Sequence, residues 1–109
     1  MDEVEDKNPK GQFGKTPLHR AVQNGDEQIC QLIICEVEDK NPRGQFGKTP
    51  LHVAAENGNL PIVKMIMDQI KDKNPLDQDE VTPLHLAAEN GHRNICKLIM
   101  DAVIGKSNF

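Results

Sequence analysis

The tetrapeptide Thr-Pro-Leu-His begins at Thr16, at Thr49 and again at Thr82, a spacing of 33 residues both times. Other features keep the same step: Asn24-Gly25, Asn57-Gly58 and Asn90-Gly91; Ile29, Ile62 and Ile95; Asp39-Lys40-Asn41-Pro42 and Asp72-Lys73-Asn74-Pro75. A period of this size marks one supersecondary unit per copy. Such a unit cannot hide its own apolar face and must lean on its neighbours, so the period demands a stack.

Within each copy the signals predict a turn and two helices. Pro17, Pro50 and Pro83 suit a first helical position, where a missing N–H costs nothing, and the threonine before each is a good N-cap. Leu18, Ala21 and Val22 give an i, i+3, i+4 apolar face, repeated as Leu51, Ala54, Ala55 and as Leu84, Ala87, Ala88. The glycine after each asparagine offers a left-handed residue that ends this helix after about two turns. A second helix follows, with the apolar sets Ile29, Cys30, Leu32, Ile33; Ile62, Val63, Met65, Ile66; and Ile95, Cys96, Leu98, Ile99. Asn-Pro at 41–42 and 74–75 then biases the chain to an extended form. The expectation is an all-α repeat solenoid filling one domain, 1–109, with 1–12 the tail of a preceding copy and copies at 13–45, 46–78 and 79–109.

Gly-Lys-Thr at 14–16 and 47–49 invites a phosphate-binding reading, which fails on spacing. The phosphate loop needs a glycine five residues before the Gly-Lys, and Pro9 and Pro42 stand there; the helix that would donate its N–H groups opens with a proline. The glycines serve a turn and the threonines serve as caps.

Net charge is −4, with the cations scattered among 17 acidic residues, and nucleic acid is a poor partner for such a surface. Apolar runs are far shorter than the roughly 20 residues that span a bilayer, and the acidic amino terminus lacks the features of a signal peptide. Three cysteines fit a reducing compartment, so the chain is expected to be intracellular and cytoplasmic.

The 33-residue length and the run Thr16-Pro17-Leu18-His19-Arg20-Ala21, with its equivalents Thr49 to Ala54 and Thr82 to Ala87, resemble the ankyrin repeat family over essentially the whole chain. The resemblance implies an L-shaped unit: an antiparallel helix pair with a hairpin-like loop at right angles, and a concave surface of loop tips and first helices. It departs from the family pattern where the second helix commonly ends in Gly-Ala; Val37-Glu38, Ile70-Lys71 and Val103-Ile104 stand there and predict a longer helix or an end without a left-handed cap. The family's Asp-x-x-Gly turn appears as Gly11 to Gly14 and Gly44 to Gly47, but as Asp77 to Glu80 in copy three. A third loop of different conformation is therefore expected.

His19, His52 and His85 share one position, so each is expected to face its equivalent on the next copy and to bond Thr16, Thr49, Thr82 or nearby backbone; the resemblance makes that histidine structural. No second ligand type recurs beside them, and His92 stands alone, so no metal or other cofactor is expected. Cys30 and Cys96 align with Val63 as core residues, while Cys35 aligns with Asp68 and Asp101 and is expected to be exposed. No nucleophile and base pair can be assembled, and the chain is expected not to be an enzyme.

Three aromatic residues occur in all, and Phe13 and Phe46 occupy loop tips where the family usually has a short polar side chain. Rings there are candidate anchors for a partner. Gln12, Lys15, Gln45, Lys48, Gln78, Asp79 and Val81 should line the same surface, with Gln23, Glu56 and Glu89 at the ends of the first helices. The expected function is non-catalytic binding of another protein through this surface; the alternative is a spacer or scaffold segment of a longer array. Val4 to Pro9 repeats Val37 to Pro42, and Met100, Val103 and Ile104 approach the other end without a dedicated cap. Moderate stability and weak end-to-end self-association are expected of such a stack.

Overall fold

Each threonine ahead of a proline starts a helix. The computed structural model describes residues 10–11 and 14–104. Its helices are α1 (Pro17–Asn24), α2 (Glu27–Glu36), α3 (Pro50–Asn57), α4 (Leu60–Met67), α5 (Pro83–Glu89) and α6 (Arg93–Ile104), with a 3-10 turn at Gln45–Gly47. Among the described residues there is no strand.

The hydroxyls of Thr16, Thr49 and Thr82 accept the N–H of His19, His52 and His85 at 3.3, 3.3 and 3.1 Å. Each histidine returns the favour: its Nδ1 accepts the threonine's own N–H at 3.1 Å in all three copies. Two N–H groups that a helix start leaves orphaned are thus satisfied reciprocally. The first helices end at Gly25 (φ 74°) and Gly58 (φ 78°), whose left-handed backbone a side chain would strain. Asp26 and Asn59 at once cap the second helices, accepting from Ile29 N and Ile62 N at 3.1 and 3.2 Å.

The ends of α2 and α4 carry no left-handed residue: Val37 is extended and Asp68 right-handed. A lysine replaces the glycine cap. Lys40 Nζ donates to the carbonyls of Ile34 and Val37, and Lys73 Nζ to those of Met67 and Ile70, placing a cation at the negative end of each helix. The next residue completes the joint. Asn41 and Asn74 turn their Oδ1 to the N–H of Leu51 and Leu84, each at 3.0 Å, and so tie one copy to the first helix of the next. The recurring Asp-Lys-Asn-Pro is thus a connector that closes one helix and steadies another.

Helices α1, α3 and α5 pack side by side as an inner row, α2, α4 and α6 as an outer row, and each inner helix pairs with the outer helix that follows it. Ala21, Ala54, Ala55 and Ala87 let the inner row approach closely, and Leu18, Val22, Leu51, Ile62, Val63, Ile66 and Ile99 fill the space between rows. The apolar sets of the second helices need two corrections. Leu32 is 66% exposed and Ile29 46%. Ile29 lies beside Pro17, Arg20 and Ala21 along a shallow hollow between α1 and α2. Ile34 and Met67, outside the expected sets, are buried in their place.

The third loop differs as expected at one position and agrees at the next: Phe46 is left-handed (φ 59°) whereas Asp79 is not, while Gly14, Gly47 and Glu80 share φ of 72°, 74° and 64°. The turn bonds match as well: Gly11 N, Gly44 N and Asp77 N donate to Lys15 O, Lys48 O and Val81 O at 2.7, 2.7 and 2.9 Å. Glu80 accepts a conformation that suits glycine because the surrounding bonds over-determine it.

Candidate functional site

The loops stand in a row because each inner helix holds the next loop. His19 Nε2 reaches Lys48 O at 2.9 Å and His52 Nε2 reaches Val81 O at 2.8 Å. The expectation that each histidine faces its equivalent is thus corrected: it faces the backbone of the following loop. Since Nδ1 accepts from the threonine N–H, the proton sits on Nε2 and the ring is neutral. Burial lowers the pKa of both rings. The carbonyl bond opposes this in each, with help from Asp77 at His52, while Lys15 and Lys10 reinforce the lowering at His19, and Lys48 and Arg43 at His52.

Further bonds run from loop to loop. Gln78 N donates to Phe46 O at 2.9 Å, and Arg43 Nη1 to both Gly47 O (3.0 Å) and Leu76 O (2.6 Å). Asp77, 6% exposed, takes Asp79 N and Val81 N on Oδ1 at 2.8 and 2.9 Å and Lys48 Nζ on Oδ2 at 3.1 Å. Burial alone would raise its pKa; the hydrogen bonds from Val81, Lys48 and Asp79, with the lysine's charge, outweigh that and hold it below the usual value.

On this scaffold Phe46 is 55% exposed with φ 59°. Gln12 and Phe13 lie outside the described residues. Gln78 and Asp79 are exposed beside Phe46, Gln45 is half-buried, and Gln23, Glu56 and Glu89 are exposed on the inner helices. Lys15 and Val81 are half-buried at the loop bases. Lys48 is committed to Asp77 instead of lying free. Two residues escaped the sequence reading. Arg43 and Leu76 belong to the column Lys10, Arg43, Leu76, and with Gly44, Gly47, Asp77 and Gln78 they line a shallow groove across the loops. Its signal was there in the repeat alignment, a column that changes from cation to leucine.

Cys30 is buried and its thiol is pushed up to about 11, first by burial and then by Asp26 and Glu27. Cys35 is exposed, and Cys96 on α6 is half-buried. His92 Nε2 meets Glu56 O at 3.0 Å, lying over Gly58, where a Cβ would stand 2.6 Å from the ring. Among the described residues no group of three or more His, Cys, Asp or Glu could hold a metal ion, and no helix is long and apolar enough to cross a membrane.

The family model described as ankyrin repeats, in three copies, matches residues 18–108. The comparison with curated proteins finds no match.

Proposed function

The chain belongs to the ankyrin repeat family, whose members are generally protein–protein interaction modules and typically not enzymes, and on that premise we propose that it binds another protein through its loop tips and the inner row of helices. The observation that carries this reading is Phe46. A bulky residue with positive φ is a genuine outlier, worth roughly 1–3 kcal/mol of strain, and such strain concentrates where a side chain must be presented. Here it holds an aromatic ring in water at the tip of a loop whose backbone is pinned by Gln78 and Arg43.

Phe13, one repeat position away in the preceding copy, supplies a second ring of the same surface, with Gln12, Gln45, Gln78 and Asp79 as its polar rim. Lys15 and Gln23 at one side, Glu56, Val81 and Glu89 at the other, give the surface a change of charge that orients the partner. Affinity capture from cell extract tests the reading, using the chain, its Phe46→Ala variant and the Phe13→Ala, Phe46→Ala double variant. Proteins retained by the first and lost by the others, with helical circular dichroism unchanged, support it. Equal capture by all three sinks it, and a collapse of helicity assigns the rings to structure.

A further inference from the structure

One column of the repeat alignment changes its chemistry from copy to copy. Lys10, Arg43 and Leu76 stand 33 residues apart and all three are exposed, the leucine by 52%. With Gly44, Gly47, Asp77 and Gln78 they line the shallow groove across the loops. The acid among them is already satisfied: Asp77 holds Lys48 Nζ at 3.1 Å and the N–H groups of Asp79 and Val81. Neither Lys10 nor Arg43 makes an ion pair among the described residues. The groove thus offers two cations that no carboxylate neutralises and, one step further, a leucine in water.

Arg43 is held in one pose. Its Nη1 donates to Gly47 O at 3.0 Å and to Leu76 O at 2.6 Å, which uses both hydrogens of that nitrogen and fixes the guanidinium plane between loops two and three. Among the described residues nothing takes its Nε and Nη2 edge, two parallel N–H groups that match the two oxygens of a carboxylate. A fork preset in this way needs little further ordering when a partner arrives.

The spacing of the column selects the shape of that partner. Helices packed side by side stand roughly 8–10 Å apart, and the inner row carries successive members of the column at that step. A polyproline II segment advances about 9 Å in three residues and returns each third side chain to one face. A flat strand returns every second side chain, at about 7 Å, and falls out of step within two copies.

On the premise that the loop surface binds a partner protein, we infer that this groove takes an extended acidic segment of it. Two carboxylates three residues apart face Lys10 and Arg43, and an apolar side chain three residues beyond lies over Leu76.

Fluorescence polarisation with the labelled peptide Glu-Pro-Pro-Glu-Pro-Pro-Leu, and with its reverse order, tests this. One of the two binds, and its affinity falls as salt rises. Glutamine in place of both glutamates, or a spacing of two or four residues between them, weakens binding about tenfold, and so does Arg43→Gln. Because Arg43→Gln also removes the bonds to Gly47 O and Leu76 O, a second variant at an exposed position decides. Leu76→Lys continues the cationic column and should prefer a third glutamate to the leucine, reversing the wild-type order. An unreversed preference overturns the inference, as do equal binding at every spacing and binding of neither peptide. Its failure is separable from that of the loop surface. Proteins captured through Phe46 that excess peptide does not displace overturn the acidic segment and leave the surface standing; peptide binding in the expected order without any Phe46-dependent capture does the reverse.

Discussion

The second and third loops make one turn by two different means. Both close it from the first residue to the fifth and from the fourth back to the first, Gly47 N to Gly44 O at 3.0 Å and Glu80 N to Asp77 O at 3.1 Å. Loop two does so with backbone: Phe46 and Gly47 are both left-handed, and Lys48 N bonds Gln45 O at 3.1 Å. Loop three has one left-handed residue, Glu80, and uses the Asp77 carboxylate to take the N–H groups that its backbone leaves over. A buried carboxylate thus substitutes for a glycine. The difference also places the ring at Phe46 and a short acid at Asp79, so the two solutions present different chemistry from one geometry.

The comparison breaks most severely at the histidines that hold both loops. His52→Ala leaves the buried Thr49 N without its acceptor and takes from Val81 O one of its two donors, and His19→Ala does the same to Thr16 N and Lys48 O. Each should cost about 3 kcal/mol in urea denaturation. His85→Ala should cost clearly less, because its Nε2 anchors no loop among the described residues; equal losses at all three positions would refute the anchoring role. His19 and His52 also set a pH dependence. Their folded pKa values are lowered, so below about pH 6.5 the unfolded chain binds protons that the folded chain refuses. Stability is full above that pH and falls with acidification, by up to about 1.4 kcal/mol per pH unit for each ring. A flat profile between pH 7 and pH 5.5 or thereabouts would count against neutral, Nε2-protonated rings.

Asp77→Ala sharpens the contrast, since it removes the side-chain closure of loop three and leaves the backbone bonds that close loop two in place. Two N–H groups and Lys48 lose their acceptor. The cover over the carboxylate is a projecting loop, so water still screens the pair, and a loss of about 2 kcal/mol is expected. Its lowered pKa means that this contribution is complete above about pH 4 and disappears as pH falls through the folded value. The variant should therefore lose stability at neutral pH and match the parent in strong acid; a difference that persists there would assign the effect to packing.

The helix starts were legible because Thr-Pro and Asn-Gly act within a few residues, and the stack was legible because the period is strict. What escaped lies where one copy meets another. Lys40 and Lys73 read as ordinary solvated cations, yet they reach back six residues to the ends of α2 and α4. Lys48 reads as free loop surface until Asp77, 29 residues on, folds against it. Ile29 fits its apolar pattern, but pattern alone does not say which copies have a neighbour. Phe46 was legible as an oddity of position, while its left-handed backbone depends on bonds to Gln78 that no local signal announces.

Effects no larger than that of Asp77→Ala come from the left-handed residues themselves. At loop two, Gly47→Ala places a Cβ 3.0 Å from Gln78 N on a backbone with φ 74°, so strain and a close contact add, and a loss of about 2 kcal/mol is expected. At loop three the opposite change, Glu80→Gly, relieves a left-handed residue that carries a side chain. The conformational entropy of the unfolded glycine opposes the gain, and about 1 kcal/mol of net stabilisation should remain, visible as a higher urea midpoint at unchanged slope. Combining Glu80→Gly with Asp77→Ala decides how the two devices relate. If the carboxylate is what forces Glu80 left-handed, glycine recovers part of the loss from Asp77→Ala and the two changes are not additive. Strict additivity would mean that the turn is imposed by His52 and Val81 alone, with Asp77 a bystander to the backbone it caps.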